Sequence, residues 1–259
     1  RIMAPVEQFS GWVWSVFPFT IAETLTSLFL AGCVIWSIRA VVLLVQQKAL
    51  LPFLRRLTAL VSVWLWLWAG LCWLWNVAYY VPSFAQREHL AANPHSVEEL
   101  TAVTEYFARQ AAARAPQVSR DTEGHFIEDL SQCFDRGPDI YQNIAQEFSS
   151  LNISSVKAKP LLCSRFQSML GFTGIYFPFT GEANVNVDAP ACLVPATISH
   201  EMSHQRMVSS ELEANFVGIA ACTSCDDVVF QYSGYLMGLI NLCNALYPVS
   251  PEAWQRIVE

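Results

Sequence analysis

The chain has 259 residues, with 15 Lys and Arg against 22 Asp and Glu for a net charge of −7, and is 53% hydrophobic but only 14% charged, where a soluble domain has about 25% charged residues. That acidic balance, with no basic run and no Lys/Arg–aromatic interleaving, argues against nucleic-acid binding. The apolar excess is concentrated between Gly11 and Ser83, so composition divides the chain into a membrane region, 1–82, and a polar folded region, 83–259.

In chain order, residues 1–20 form an apolar, aromatic lead-in suited to a membrane interface, broken at Pro18. A first membrane helix is expected over 21–45, where Glu23 and Arg39 bound an uncharged centre and Arg39 snorkels. A second is expected over 57–81, which has no charge and exceeds the ~20 residues a crossing needs. Its tryptophans, Trp64, Trp66, Trp68, Trp73 and Trp75, do not share one face and suit lipid; Tyr79 and Tyr80 suit the headgroup level. Between the spans, 46–56 holds Lys48, Arg55 and Arg56 and no acid, which makes that loop cytoplasmic and puts everything after Pro82 outside.

The outer region opens with a polar linker, 83–95. Ser96 and Glu99 form a capping-box pattern that starts a helix to about residue 115, with Leu100, Val103, Phe107 and Ala111 as its core stripe. Further elements are a helix over 138–151, a short strand within 157–163, a helical piece at 164–170 and a strand–turn–strand unit over 171–187. Helices follow at 193–207, 211–222 and 228–247. The last is apolar enough to raise a third span, but Gln231, Asn241 and Asn244 favour a buried helix. The fold class is thus a mainly α membrane protein, a helical hairpin followed by a mostly helical domain with a small β-hairpin or sheet. Cys33 and Cys72 read as small apolar residues, and Cys222 and Cys225 as packing or a disulfide. Cys133, Cys163, Cys192 and Cys243 are able to pair in an oxidising compartment.

The chemistry centres on His200-Glu201-Met202-Ser203-His204. Residues four apart share a helical face, so His200 and His204 aim both imidazoles at one metal ion, and Glu201 falls beside the open coordination position as general base. A catalytic zinc needs a third protein ligand. Glu213, nine residues after His204, is the expected one and Glu211 the alternate; a capping box between Ser210 and Glu213 competes for the Glu213 carboxylate. Asn215 is a candidate to orient an imidazole. Tyr232 is the expected oxyanion-stabilising residue, with Tyr235 as alternate, each weighed against simple packing. The strand within 174–187 offers an edge to an extended peptide.

Five stretches carry a resemblance: LWNVAYY at 74–80, GFTGIYFPFTGEAN at 171–184, HEMSHQ at 200–205, EANF at 213–216 and YSGY at 232–235. In that order they resemble the bacterial membrane proteins catalogued as domain of unknown function 3810, over nearly the whole chain. The resemblance implies a membrane-anchored zinc metallopeptidase of the gluzincin type with a zincin-like domain, His200, His204 and Glu213 as ligands and Glu201 as base. It also implies another membrane helix before Arg1 and further sequence after Glu259. The family pattern has glycine three residues after the second histidine, where this chain has Met207, which puts the turn and the reach of Glu213 in question. The expected function is hydrolysis of peptide bonds by a Zn2+ enzyme anchored in a bacterial plasma membrane, its partners the lipid bilayer and a peptide or protein substrate. The alternatives are a non-enzymatic metal-binding sensor or scaffold for a cell-envelope partner, and hydrolysis of a non-peptide amide.

Overall fold

The computed structural model describes residues 4–91, 93–153 and 156–259. α1 (Ala4–Trp14) leads into two long helices, α2 (Ile21–Gln47) and α3 (Leu50–Leu74), the latter prolonged by a 3-10 turn over Asn76–Tyr80. Both are long and apolar enough to cross a membrane, and almost none of their apolar surface is buried inside the protein. An all-round apolar helix left uncovered in this way is solvated well by lipid and poorly by water. The expected basic loop at 46–56 is in fact a tight turn of Lys48 and Ala49, with Lys48 in the left-handed region at φ 50°. α3 therefore starts earlier than expected and takes Pro52, Arg55 and Arg56 into its opening turns, where a proline leaves no hydrogen bond broken.

The remaining helices are α4 (Phe84–Arg87), α5 (Val97–Arg114), α6 (Leu130–Arg136), α7 (Ile144–Glu147), α8 (Ser164–Met169), α9 (Val194–Gln205), α10 (Glu211–Ser224), α11 (Val228–Leu246) and α12 (Pro251–Val258). The capping box at Ser96 and Glu99 forms as expected. The stretch read as linker instead folds into α4, which has its own box at Ser83 and Gln86. The single helix expected over 138–151 is replaced by α7 with a 3-10 turn on either side, and α6 forms just before it in a stretch read as turns. Phe148, extended at φ −114° and ψ 95°, ends α7, yet Ile140, Tyr141, Ile144 and Leu151 all still reach the core. α11 is not one of the membrane-span candidates; Val229, Phe230, Ser233 and Gly238 are buried against neighbours that include α5 and α10.

Strands β1 (Lys159–Pro160), β2 (Gly174–Phe177) and β3 (Glu182–Val185) make a sheet in the order β1-β3-β2, with β1 parallel and β2 antiparallel to β3. Opposite this sheet, α9 runs through the middle of the core and is buried at every position except His200. Its small residues permit this. Ser199 Oγ donates to Gly218 O of α10 at 2.9 Å, and a Cβ on Gly218 would stand 2.9 Å from the His200 nitrogen, so only glycine lets α10 cross there. All eight cysteines are free; Cys222 and Cys225 are packed in the core, and Cys133 is buried there too.

Carboxylates fasten the long helices to the rest. The buried Glu182 carboxylate accepts from Ile21 N at 3.1 Å and Ala22 N at 2.7 Å, two of the orphan donors at the start of α2, and from Thr180 Oγ1 and Lys159 Nζ at 2.8 and 2.7 Å. Lys159 also donates to the carbonyls of Trp14 and Phe19. Glu23, read from the sequence as a span boundary, accepts from Leu162 N and Cys163 N. Removing one partner from the buried Lys159–Glu182 pair strands the other charge, a loss of about 3–5 kcal/mol. Glu182→Gln is therefore expected to destabilise the detergent-solubilised chain by that amount in a denaturant titration, while the surface-pair variant Asp135→Asn stays within about 1 kcal/mol of wild type.

Candidate metal centre

α9 delivers His200 and His204 on one face, their rings 5.0 Å apart and perpendicular. Glu211, at the start of α10, closes the group. Its Oε2 lies 3.2 Å from His200 Nε2 and its Oε1 3.6 Å from His204 Nε2, and the three ligand atoms fall within 4.8 Å of one another. Ligands at zinc bond lengths in a tetrahedron stand about 3.4 Å apart. Two imidazoles and a carboxylate at this spacing fit a divalent metal of zinc's kind.

The expected third ligand, Glu213, is turned elsewhere. Its two oxygens accept from Phe84 N at 3.0 Å and Ala85 N at 2.9 Å, capping α4. Ser210 makes no cap bond, so the competing capping box does not form either. The reason is helical geometry. Positions two apart point to nearly opposite sides of a helix, and the side of α10 that meets α9 carries Ala214, Gly218 and Ala221, on which Glu211 falls.

Electrostatics suit the donor set to a metal. Burial pushes the His204 imidazole down to about 4, helped by the charge of His200, so it is neutral at physiological pH. Its Nδ1 sits 2.7 Å from Val208 O, which places the proton on Nδ1 and leaves Nε2 free to ligate. Burial works against the charged form of His200, but the hydrogen bond to Glu211 and the charges of Glu201 and Glu211 carry it above its ordinary value. Asn215 is among the influences acting in the same direction, while His200 Nδ1 makes no hydrogen bond. The same contact with His200 holds Glu211 below the usual carboxylate range. Glu201 is buried, its Oε2 has no partner, and burial pushes its carboxyl up to about 8. Gly174 of β2 sits against that carboxyl so closely that a Cβ there would overlap it.

The turn from α9 to α10 decides which glutamate arrives. Val208 N donates to Ser203 O and Met207 N to His204 O, the two bonds of a Schellman ending, with Met207 left-handed at φ 61°. The departure from glycine at this position therefore adds strain without opening the turn. A left-handed backbone disfavours a side-chain-bearing residue by about 1–2 kcal/mol, partly offset by glycine's greater freedom when unfolded. Met207→Gly is expected to stabilise the chain by about 0.5–1 kcal/mol, and Met207→Val to destabilise it, in denaturant unfolding. Arg206, buried beside it, lies 3.5 Å over the Tyr141 ring and donates to Met202 O, holding the end of α9.

Neither expected tyrosine has a partner in the motif. Tyr232 Oη accepts from Arg120 and its ring stacks on Phe126, while Tyr235 packs with Tyr106, Phe107 and Arg114. The aromatics that do border the centre come from elsewhere. Trp75, just past α3, packs edge-on against His204 at 5.3 Å, Tyr176 of β2 lies 6.1 Å from the same ring, and Tyr79 donates to Ser209 O at 2.9 Å. Sequence alone read Trp75 and Tyr79 as lipid-facing and interfacial; their spacing carries no sign of a site.

No curated protein and no solved structure matches the chain. The family model described as a protein of unknown function, DUF3810, matches residues 2–259, and the chain belongs to that family.

Proposed function

We propose that this protein is a membrane-anchored, zinc-dependent metallopeptidase that hydrolyses peptide bonds outside the cytoplasm, with His200, His204 and Glu211 as ligands and Glu201 as general base. The observation that carries the reading is the convergence of three donor atoms within 4.8 Å beside a buried carboxylate that lacks a partner. Such a carboxylate is costly to bury without a use. When bound, zinc polarises a scissile carbonyl and lowers the pKa of a water toward ~7.

The chain's own residues do the rest. His204, held neutral and aimed by Val208, and His200 present their Nε2 atoms to the ion. Beside a divalent cation the Glu201 carboxyl is held ionised; Glu201 then takes a proton from the attacking water as the water oxygen bonds the carbonyl carbon, and returns that proton to the amine as the C–N bond breaks. The products are a carboxylic acid and an amine. Thr173 O accepts from Asn186 N across to β3, so alternation turns 175 and 177 inward and leaves the backbone groups of Gly174 and Tyr176 on the open edge. That edge, beginning at Glu201, suits an extended peptide.

The basic residues Lys48, Arg55 and Arg56 at the α2–α3 turn support an orientation with that end in the cytoplasm. The test compares the zinc-loaded wild type with Glu201→Gln on a peptide library. Cleavage by wild type alone supports the reading. Zinc binding without cleavage by either points to the sensor or scaffold.

A further inference from the structure

The site is built onto the outer end of the membrane hairpin rather than held above it. Trp75, immediately after α3, touches His204, and Tyr79 donates to Ser209 O in the turn that leads into Glu211. The start of α2 is locked to β3 through Glu182. β2 has a direction relative to these anchors. It begins at Gly174 against Glu201 and ends at Phe177, and the turn beyond it puts the Phe179 ring against Gly70 of α3, with an ideal Cβ there 3.0 Å from Phe179 Cε1. Ser10 Oγ of α1 donates to Phe179 O at 3.0 Å, fixing the turn to the membrane side. The strand therefore leads from the general base toward the membrane helix, three residue steps or about 10 Å from Gly174 to Phe177, with Phe179 two residues further on.

β2 is also an edge strand of the sheet, with no strand paired on its outer side among the described residues. Around its start, Met169, Leu170, Phe172 and Ile175 are exposed, on the side of the scissile bond away from the membrane end. A peptide added antiparallel to β2 has its N-terminal side at the membrane end and its C-terminal side running out past Glu201.

We propose that the substrates are membrane-tethered polypeptides, anchored by an apolar segment N-terminal to the scissile bond and cut within a few residues of the bilayer. This rests on the hydrolase reading above and narrows it to a substrate class and a polarity.

The test uses the full chain, zinc-loaded, in phosphatidylethanolamine–phosphatidylglycerol vesicles. Four reporters carry the same randomised segments: behind an N-terminal membrane helix with a spacer of about 4 residues, behind the same helix with about 30, ahead of a C-terminal helix with about 4, and free in solution. Both N-terminally tethered reporters share the gain from confinement to the membrane, so their ratio isolates the reach of the site. Mass spectrometry of the products is expected to show the short-spacer, N-terminally anchored reporter cut at least about 10-fold faster than the others, within about 3–6 residues of the anchor. Equal cutting of the long-spacer or free reporter, or faster cutting of the C-terminally anchored one, overturns this proposal and leaves the hydrolase reading standing. No cutting of any reporter overturns both.

Discussion

Glu211→Ala is expected to release the metal, whereas Glu213→Ala keeps it. Among the described residues Glu211 supplies one of the three donor atoms that lie within 4.8 Å of one another, and its loss leaves two imidazoles, too few for the three protein ligands of a catalytic zinc. Even outer-shell partners alter metal affinity by about 10–100-fold, so removing a direct ligand lowers it by about 100-fold or more. Glu213 acts on the fold instead. Without its carboxylate, the amides of Phe84 and Ala85 lose their acceptor, and stability falls by about 1–3 kcal/mol. Elemental analysis of the purified variants, with denaturant unfolding of each, separates the two effects. Zinc lost from Glu213→Ala and kept by Glu211→Ala would return the third ligand to Glu213.

Glu201→Gln should retain zinc while turnover falls by about 10²–10⁴-fold, the range for removing a general base. Glutamine keeps the shape against Gly174 but accepts no proton. The variant also has a signature independent of activity. In the metal-free wild type, burial raises Glu201 from 4.5 to about 8, so between those values the folded chain holds a proton that the unfolded chain has released. Stability from this group is fully present below about pH 4.5 and is lost as pH rises through about 8. Glu201→Gln removes that loss. Metal-free wild type should weaken relative to the variant between about pH 5 and 8, read as the difference between their unfolding midpoints. A pH-independent difference would show that the Glu201 carboxyl is not held neutral in the fold.

Much of this protein is written in local pattern. Uninterrupted apolar runs have only lipid or a core as solvent, so the two long helices were readable. The box at Ser96 and Glu99 depends on residues three apart and formed as read. The spacing of His200 and His204 places two imidazoles on one face wherever the helix ends up. Patterns that compete locally were less legible: the turn at Lys48 and Ala49 is shorter than its charges suggested, and α4 hid in a polar stretch.

What sequence by itself determined is therefore the pair of long apolar helices, the helical character of most of the remainder, and the histidine pair with its adjacent acid. Only the tertiary structure decided that Glu211 and not Glu213 meets the histidines, that Tyr232 belongs to an Arg120–Phe126 cluster, and that Trp75 closes over His204. The physical reason is common to all three. Each depends on which face of one element meets another far away in the chain, and that is set by the close crossing at Gly218 and by carboxylates that bind backbone amides more than a hundred residues away.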